Sequence, residues 1–309
     1  MQTGLPSTVF TQPPHFRWLI ILYFFIGGIA GGALLLASLL RLFGRPEDRP
    51  FVRLASYLSF AGAVLSGIIL IVDLGVPWRF WHMLIQDHTG RPILKWWSPM
   101  SAGAWGLLVF GFFSFLASLG ALAEEGRLTR RSFRRLADPP IATLGAIGGM
   151  FGGLFLAGYT GVLLSVSNRP IWSDSNWLGV LFLLSGLSTA VAALLLFARR
   201  RGVDVPVTIG WLRRFDRTTL LLELLVIVAF IVSLGAAARA FVSLWGVVLV
   251  LGVIGVGILM PLWMYRDRAG ANHDVVRAAT YVLVGGFLLR VVVLLSSEQV
   301  HVVGTQVFR

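Results

Sequence analysis

No cysteine occurs among the 309 residues of the chain, and only 13% of them are charged. Without thiols it can form no disulfide, hold no cysteine-ligated iron–sulfur cluster and build no thiolate metal site. A soluble domain carries about twice that proportion of charged residues. The shortage of charge therefore points away from a protein that is surrounded by water.

Histidine is also scarce, and its placement argues against a haem protein. None of the histidines lies inside an apolar run. A haem within a membrane bundle needs axial ligands on the helices themselves, and these are commonly histidines. We therefore expect no haem, no iron–sulfur cluster and no metal ion in this chain. The five histidines are His15, His82, His88, His273 and His301.

Long apolar runs make up most of the sequence, in which 57% of residues are hydrophobic and the mean hydropathy is +0.82. A helix that crosses a hydrocarbon core of ~30 Å needs ~20 residues. The sequence predicts an all-α integral membrane protein with eight transmembrane helices, forming one polytopic domain over residues 1–309 as two packed four-helix bundles. The predicted helices span residues 18–40, 54–72, 100–123, 141–166, 177–198, 218–238, 241–265 and 278–297.

The distribution of arginine predicts how these helices are oriented. Of the 26 basic residues, 18 lie in loops 41–53, 124–140, 199–217 and 266–277, whereas the alternate segments hold seven. Loops rich in Lys and Arg stay in the cytoplasm, so both termini are expected outside. The same clustering accounts for the net charge of +12, and we expect no nucleic-acid partner. Residues 1–17 lack the features of a signal peptide, so we expect the first helix to be retained.

Four polar side chains occupy positions that a membrane disfavours. Tyr23 lies ~8 Å below the outer end of its predicted helix, and Tyr159 and Arg290 lie ~10 Å below theirs. Asp73 closes the second helix at the same face. Because ionisable groups at membrane depth usually face the bundle interior, we predict one cluster in the outer half, with Asp73 as the partner of Arg290. Each tyrosine could instead belong to an aromatic belt, and Asp73 could be a solvated helix end.

Two further features concern protons. Glu223 lies toward the cytoplasmic side of the sixth predicted helix, where it could begin a proton route through Ser185, Ser188 or Thr189, or bind a loop arginine. The outer segment 73–99 is rich in aromatic residues, which suits an interfacial helix. This segment could also roof a lipid-accessible pocket, with His82 exchanging protons near neutral pH. Its aromatic residues include Trp78, Phe80, Trp81, Trp96 and Trp97.

A quinone suits these residue types, because its tail stays in lipid while its head lies near one membrane face. Its carbonyl oxygens need donors such as Tyr23, Tyr159 or Arg290. Oxidation of the quinol releases two protons, which calls for an acceptor such as Asp73 or His82. Since the chain has no metal ligands of its own on the helices, the electrons would leave through another subunit.

Several short motifs carry a resemblance to a known family. The string Asp73-Leu74-Gly75-Val76-Pro77, followed by Arg79-Phe80-Trp81-His82-Met83-Leu84, resembles the segment after the second helix in the NrfD family, which includes the membrane subunit of polysulfide reductase. The other similar strings are Ser98-Pro99-Met100-Ser101, Gly103-Ala104-Trp105, Gly158-Tyr159-Thr160-Gly161, Asn168-Arg169-Pro170-Ile171-Trp172 and the Arg290 helix ending at Glu298-Gln299.

This resemblance implies a cofactor-free membrane subunit that is not an enzyme by itself. It would exchange electrons between menaquinone or ubiquinone and an iron–sulfur ferredoxin-like partner, which serves a molybdopterin or multihaem catalytic subunit on the outer face of a bacterial or archaeal cytoplasmic membrane. Tyr159 matches a tyrosine that contacts the quinone head, and Tyr23 stands where some relatives have histidine. Asn168, Arg169 and Trp172 are the expected contacts with the partner. The alternatives are a purely structural anchor and a secondary transporter.

Overall fold

A computed structural model of the chain describes residues 18–128, 130–167, 169–265 and 272–307, with the backbone alone described at 131–132, 272–273 and 298–307. Over these residues the protein is helical, and its only β pairing is an isolated antiparallel bridge between Ile85 and Pro92. The long helices are α1 Trp18–Phe43, α2 Arg49–Asp73, α3 Pro99–Glu124, α4 Pro139–Ser165, α5 Leu178–Arg200, α6 Pro206–Ser233, α7 Leu244–Met264 and α8 Asn272–Val307.

The prediction of an all-helical, multi-pass membrane protein is confirmed. Seven spans, in all the long helices except α6, are long and apolar enough to cross a membrane. Helix α6 meets the same test only together with the short 3₁₀ helix Gly235–Phe241, from which it is bent by 114°. By length and composition, the described part of the chain therefore has seven candidate membrane spans, or eight if this bent pair counts as one.

Helix α6 differs most from its predicted bounds of 218–238. It begins at Pro206, because proline fits the first turn of a helix, where its missing N–H is not needed. It ends at Ser233, and Gly235 follows with a φ of +52°, a conformation that glycine adopts without steric cost. A run of apolar residues located the centre of this helix, but its charged first turns had been assigned to a loop.

Helix α7 contains an unusual π-helical stretch over Val248–Leu259. Its wider turns lie against α8, where the two backbones touch at glycines. A Cβ atom added at Gly257 would lie 2.5 Å from the Cα of Gly285, so neither position can carry a side chain without separating the helices. Such small-residue contacts let helices pack closely in lipid.

The helices pack as two groups of four. Helix α1 packs against α2 and α4, and α3 completes this first group by contacting both of them. In the second group, α5 packs against α6 and α8, and α8 packs against α7. Helix α5 also contacts α1 and α4, so it joins the groups.

The two ends of the molecule differ in chemistry. We call the end of the molecule where α1 ends and α2 begins the basic face. There the Glu124 carboxylate accepts from Arg41 at 2.6 Å and from Arg49 at 2.8 Å. At the aromatic face α2 ends at Asp73 and α3 begins at Pro99, with the segment 74–98 between them. The candidate site lies toward the aromatic face.

Candidate functional site

Tyr159 on α4 reaches across to the first residue of α3. Its hydroxyl donates to the carbonyl oxygen of Pro99 at 2.6 Å, and its ring stacks on Phe155 with centroids 5.2 Å apart. The ring lies over Gly103, where an added Cβ would be 2.0 Å from the hydroxyl oxygen. The position of Tyr159 therefore depends on glycine in α3. Only 9% of the residue is exposed.

Tyr23 on α1 is buried as well, with 3% of the residue exposed, on the helix that packs against the Tyr159 helix. Unlike Tyr159, it makes no hydrogen bond to any residue that the structure describes. Across the α1–α2 contact, the hydroxyl of Ser66 is likewise buried without a partner among the described residues. A Cβ at Gly27 would touch both the Tyr23 ring, at 3.6 Å, and the Ser66 oxygen, at 3.7 Å. Sequence reasoning missed Ser66, because a serine in an apolar run is common and uncharged.

Arg290 on α8 is fully buried where α1, α5 and α8 meet. Its Nε donates to the carbonyl oxygen of Phe24 at 3.1 Å, and its Nη1 donates to the carbonyl oxygen of Gly286 at 2.6 Å. The guanidinium lies beside the rings of Phe25 and Phe182, 5.6 and 5.4 Å from their centroids. Its Nη2 has no hydrogen-bond partner among the described residues.

The expected ion pair between Arg290 and Asp73 is not formed. Instead Arg290 Nη1 donates to the hydroxyl of Ser185 at 3.0 Å, and Ser185 and Glu223 border the same narrow space. Glu223 is also near enough for direct attraction to the guanidinium. The prediction failed because depth along a helix does not say which way a side chain points, and α8 turns Arg290 toward α5.

A second buried carboxylate continues this polar chain toward the basic face. Asp216 on α6 is fully buried, accepts from the Ser188 hydroxyl at 2.6 Å and accepts from the Tyr265 hydroxyl at 2.9 Å. Ser188 and Glu223 border a narrow space between the helices of the second group, which is too tight to admit a water molecule. Asp216 was missed because the sequence analysis had placed it in loop 199–217.

Asp73 and His82 lie at the aromatic face, and no hydrogen bond or ion pair among the described residues joins either of them to Tyr23, Tyr159 or Arg290. Asp73 is half-buried at the end of α2 and has no ion pair within the described residues. His82 lies in the 3₁₀ helix Pro77–Met83, with Nε2 4.0 Å from Asp87 and its ring against Trp81. The tryptophans of this segment are exposed, as an interfacial segment requires; Trp78 is 75% and Trp96 is 80% exposed.

The residues expected to dock a partner are buried in the chain itself. Arg169 and Trp172 are 2% and 0% exposed. Trp172 Nε1 donates to the carbonyl oxygen of Val293 at 2.8 Å, and Arg169 Nη1 donates to Ser297 Oγ at 3.2 Å. Both side chains thus attach the loop after α4 to α8 and are not available at the surface of the chain. Asn168 lies outside the described residues.

Comparison with known proteins decides the family. The family model described as "Polysulphide reductase, NrfD" matches residues 8–302. The chain belongs to this family. The resemblance that the short motifs indicated is therefore confirmed.

Individual relatives of this NrfD-family chain are distant but mostly full-length. It is 27% identical to Protein NrfD of Escherichia coli, over 91% of this chain and 94% of that protein. It is 25% identical to one of the chains of polysulfide reductase from Wolinella succinogenes, over 91% and 94%. One of the subunits of selenate reductase from Mesobacillus selenatarsenatis matches only 31% of this chain and 22% of its own length, with 25% identity.

Proposed function

We propose that this chain is the quinone-reactive membrane subunit of a respiratory oxidoreductase. It would bind the head of menaquinone or ubiquinone beside Tyr23 and Tyr159, and exchange electrons with an iron–sulfur ferredoxin-like partner on the aromatic face. A molybdopterin or multihaem subunit would complete the complex. Membership of the NrfD family and the names of two relatives, which are parts of reductases, support this proposal.

The observation that carries the proposal is the pair of unsatisfied hydroxyls between α1 and α2. Buried polar groups normally have hydrogen-bond partners, and each exception calls for an explanation. Tyr23 is 3% exposed and makes no hydrogen bond among the described residues, and the buried Ser66 hydroxyl has no partner there either. A quinone head offers two carbonyl oxygens that accept such hydrogen bonds. We infer that Tyr23 is the principal donor to it.

The neighbouring residues have supporting tasks. Tyr159 is already bonded to Pro99, so it forms one wall of the site and holds α3 against α4. Arg290 holds the carbonyl of Phe24, the residue next to Tyr23, and so fixes that turn of α1. A bound quinol supplies two electrons and two protons. Asp73 and His82, at the aromatic face, would accept these protons and release them on that side.

We also propose that Glu223 and Asp216 form a proton route from the basic face. Hydrogen bonds join Tyr265 and Ser188 to Asp216, a further one joins Arg290 to Ser185, and Glu223 borders the same narrow space as Ser185 and Ser188. Chains of such groups are typical of intramembrane proton relays.

The test of the quinone site is Tyr23→Phe, compared with Tyr159→Phe, in the assembled complex within native membranes. Removing the free hydroxyl of Tyr23 should lower quinol-dependent turnover at least about fivefold, since a hydrogen bond contributes ~1 kcal/mol or more. Tyr159→Phe should lower turnover less, because that hydroxyl is already bonded to Pro99. Turnover with a soluble electron donor to the catalytic partner measures the rest of the complex.

Tyr281→Phe is the matched control, because this half-buried tyrosine lies in the α8 span away from the α1–α2 contact. It should leave quinol turnover unchanged. A purely structural anchor would behave differently, since Tyr23→Phe would then either reduce the amount of assembled complex or change nothing. Normal assembly together with normal quinol turnover in Tyr23→Phe would refute the proposed site.

A further inference from the structure

A crevice opens at the basic face, inside the first group of helices and at the opposite end from the tyrosine site. Helices α1, α2, α3 and α4 surround it, and its empty space is about 580 Å³, including the part open to the outside. Apolar side chains such as Leu34, Leu116 and Ile141 form its walls, and Arg41, Arg53 and Glu124 border it. The crevice thus combines an apolar interior with a charged rim.

The charges at this rim do not cancel. Glu124 is shared by Arg41 and Arg49, so one negative charge faces two positive ones. Arg53 is half-buried and forms neither an ion pair nor a hydrogen bond with any described residue. The Glu125 carboxylate does not fully neutralise Arg53, because it already forms an ion pair with Arg127 at 3.1 Å. The rim therefore has an excess of positive charge directed at a space that no side chain fills.

A polar atom inside the crevice also lacks a partner. Ser38, on the same face of α1 as Leu34 and Arg41, lines the crevice and is 2% exposed. Its hydroxyl makes no hydrogen bond within the described part of the chain. A buried donor left unsatisfied costs roughly 1–3 kcal/mol. Ser38 therefore indicates that a ligand with an acceptor oxygen enters the crevice below the arginines.

We propose that this crevice binds one anionic glycerophospholipid from the leaflet at the basic face. Its phosphate lies at Arg53 and Arg41, an ester oxygen accepts from Ser38, and an acyl chain occupies the apolar interior. An electrically neutral quinone head would leave the excess charge of the rim unused, whereas a lipid phosphate neutralises it. This site is separate from the tyrosine site, so it does not depend on the proposed function.

Native mass spectrometry of the purified full-length chain in detergent tests the proposal, with added phosphatidylglycerol and phosphatidylcholine as probes. Phosphatidylglycerol should bind in a one-to-one ratio and phosphatidylcholine more weakly. Arg53→Gln should weaken phosphatidylglycerol binding about fivefold, the effect expected of one arginine near an anionic headgroup. Arg200→Gln is the control, because Arg200 is exposed at the end of α5 and does not line the crevice. It should leave the affinity unchanged.

Filling the crevice tests the acyl chain. A Cβ added at Gly145 meets no atom within 4 Å, although Gly145 lines the crevice. Gly145→Leu should therefore fold normally and still lose the lipid, whereas Gly111→Leu, equally open but outside the crevice, should keep it. Glycerol phosphate without acyl chains should not compete with the lipid. Equal binding of both lipids, or loss of bound quinone in place of lipid from Gly145→Leu, would overturn the proposal.

Discussion

At the tyrosine site, the position of the Tyr159 side chain depends on the absence of a side chain at Gly103. The ring of Tyr159 occupies the volume that a side chain at position 103 would need. Its hydroxyl bond to Pro99 then ties the start of α3 to α4. A change at Gly103 therefore acts on Tyr159, although glycine itself has nothing to offer a ligand.

Gly103→Ala should displace the Tyr159 ring and break its bond to Pro99. Because a Cβ would lie 2.0 Å from the hydroxyl oxygen, we expect a loss of stability of ~1–3 kcal/mol, as for other overpacked sites. Quinol turnover should fall at least as far as in Tyr159→Phe. Gly111→Ala, on the same helix, meets no atom within 4 Å and should be neutral.

The double variant Gly103→Ala with Tyr159→Phe distinguishes this explanation from general damage. If alanine acts by displacing the hydroxyl, the losses of turnover should not add, because both changes remove the same contact. Additive losses would show that Gly103 acts independently of Tyr159. The amount of chain in the membrane should be measured in parallel.

The sequence predicted which polar side chains are buried, but it did not predict which residues they contact. Tyr23, Tyr159 and Arg290 attracted attention because polar groups are costly in apolar runs, and the structure buries all three. The predicted partner of Arg290 was wrong. Each residue along a helix points about 100° away from the one before it, and the sequence alone does not give the rotation of a helix about its axis. Ser185, which accepts a hydrogen bond from Arg290, enters the sequence prediction only as a step of a proton route above Glu223.

At the scale of secondary-structure elements, the apolar runs predicted where the helices lie but did not predict whether a helix is α or π. The predicted bounds of α1, α3 and α4 lie within three residues of the structure at each end. The charged residues Arg213, Arg214 and Asp216 hid the first turns of α6, because hydropathy measures affinity for lipid and not helix formation. Nothing in the composition of Val248–Leu259 distinguishes a π-helix from an α-helix.

The relay through α5 and α6 gives a prediction at this scale. In Glu223→Gln, proton uptake from the basic side during turnover should fall at least tenfold, because an amide cannot exchange protons as a carboxylate does. The complex should be reconstituted in vesicles with a pH-sensitive dye on the basic side. Glu223→Asp, which keeps the carboxylate, should recover part of the uptake.

Asp48→Asn is the matched control for this relay. Asp48 is a buried carboxylate at the same face, but it accepts from Thr208 and from the backbone of Arg45 and lies apart from the relay. It should affect stability without changing the ratio of protons to electrons. Wild-type proton uptake in Glu223→Gln would eliminate the route.

For the whole molecule, the orientation in the membrane remains a prediction from arginine counts. The absence of cysteine makes it directly measurable, because single cysteines can be introduced without any background reaction. His88→Cys, exposed in the segment at the aromatic face, should react with a membrane-impermeant maleimide in intact cells. Arg201→Cys, exposed after α5, should react only after the membrane is opened. The reverse pattern would invert the proposed sidedness of the quinone site.

The length of α6 determines where an electrical potential would act. Its 28 residues span ~42 Å, about 12 Å more than a hydrocarbon core. Its arginines would keep the surplus among lipid headgroups and water, and Asp216, ~15 Å along the helix, would then lie near the boundary of the insulating layer at the basic face. A charge arriving at Asp216 has therefore crossed little of the voltage. Moving one elementary charge from Asp216 to the opposite side would gain or cost up to ~2.3 kcal/mol per 100 mV of membrane potential.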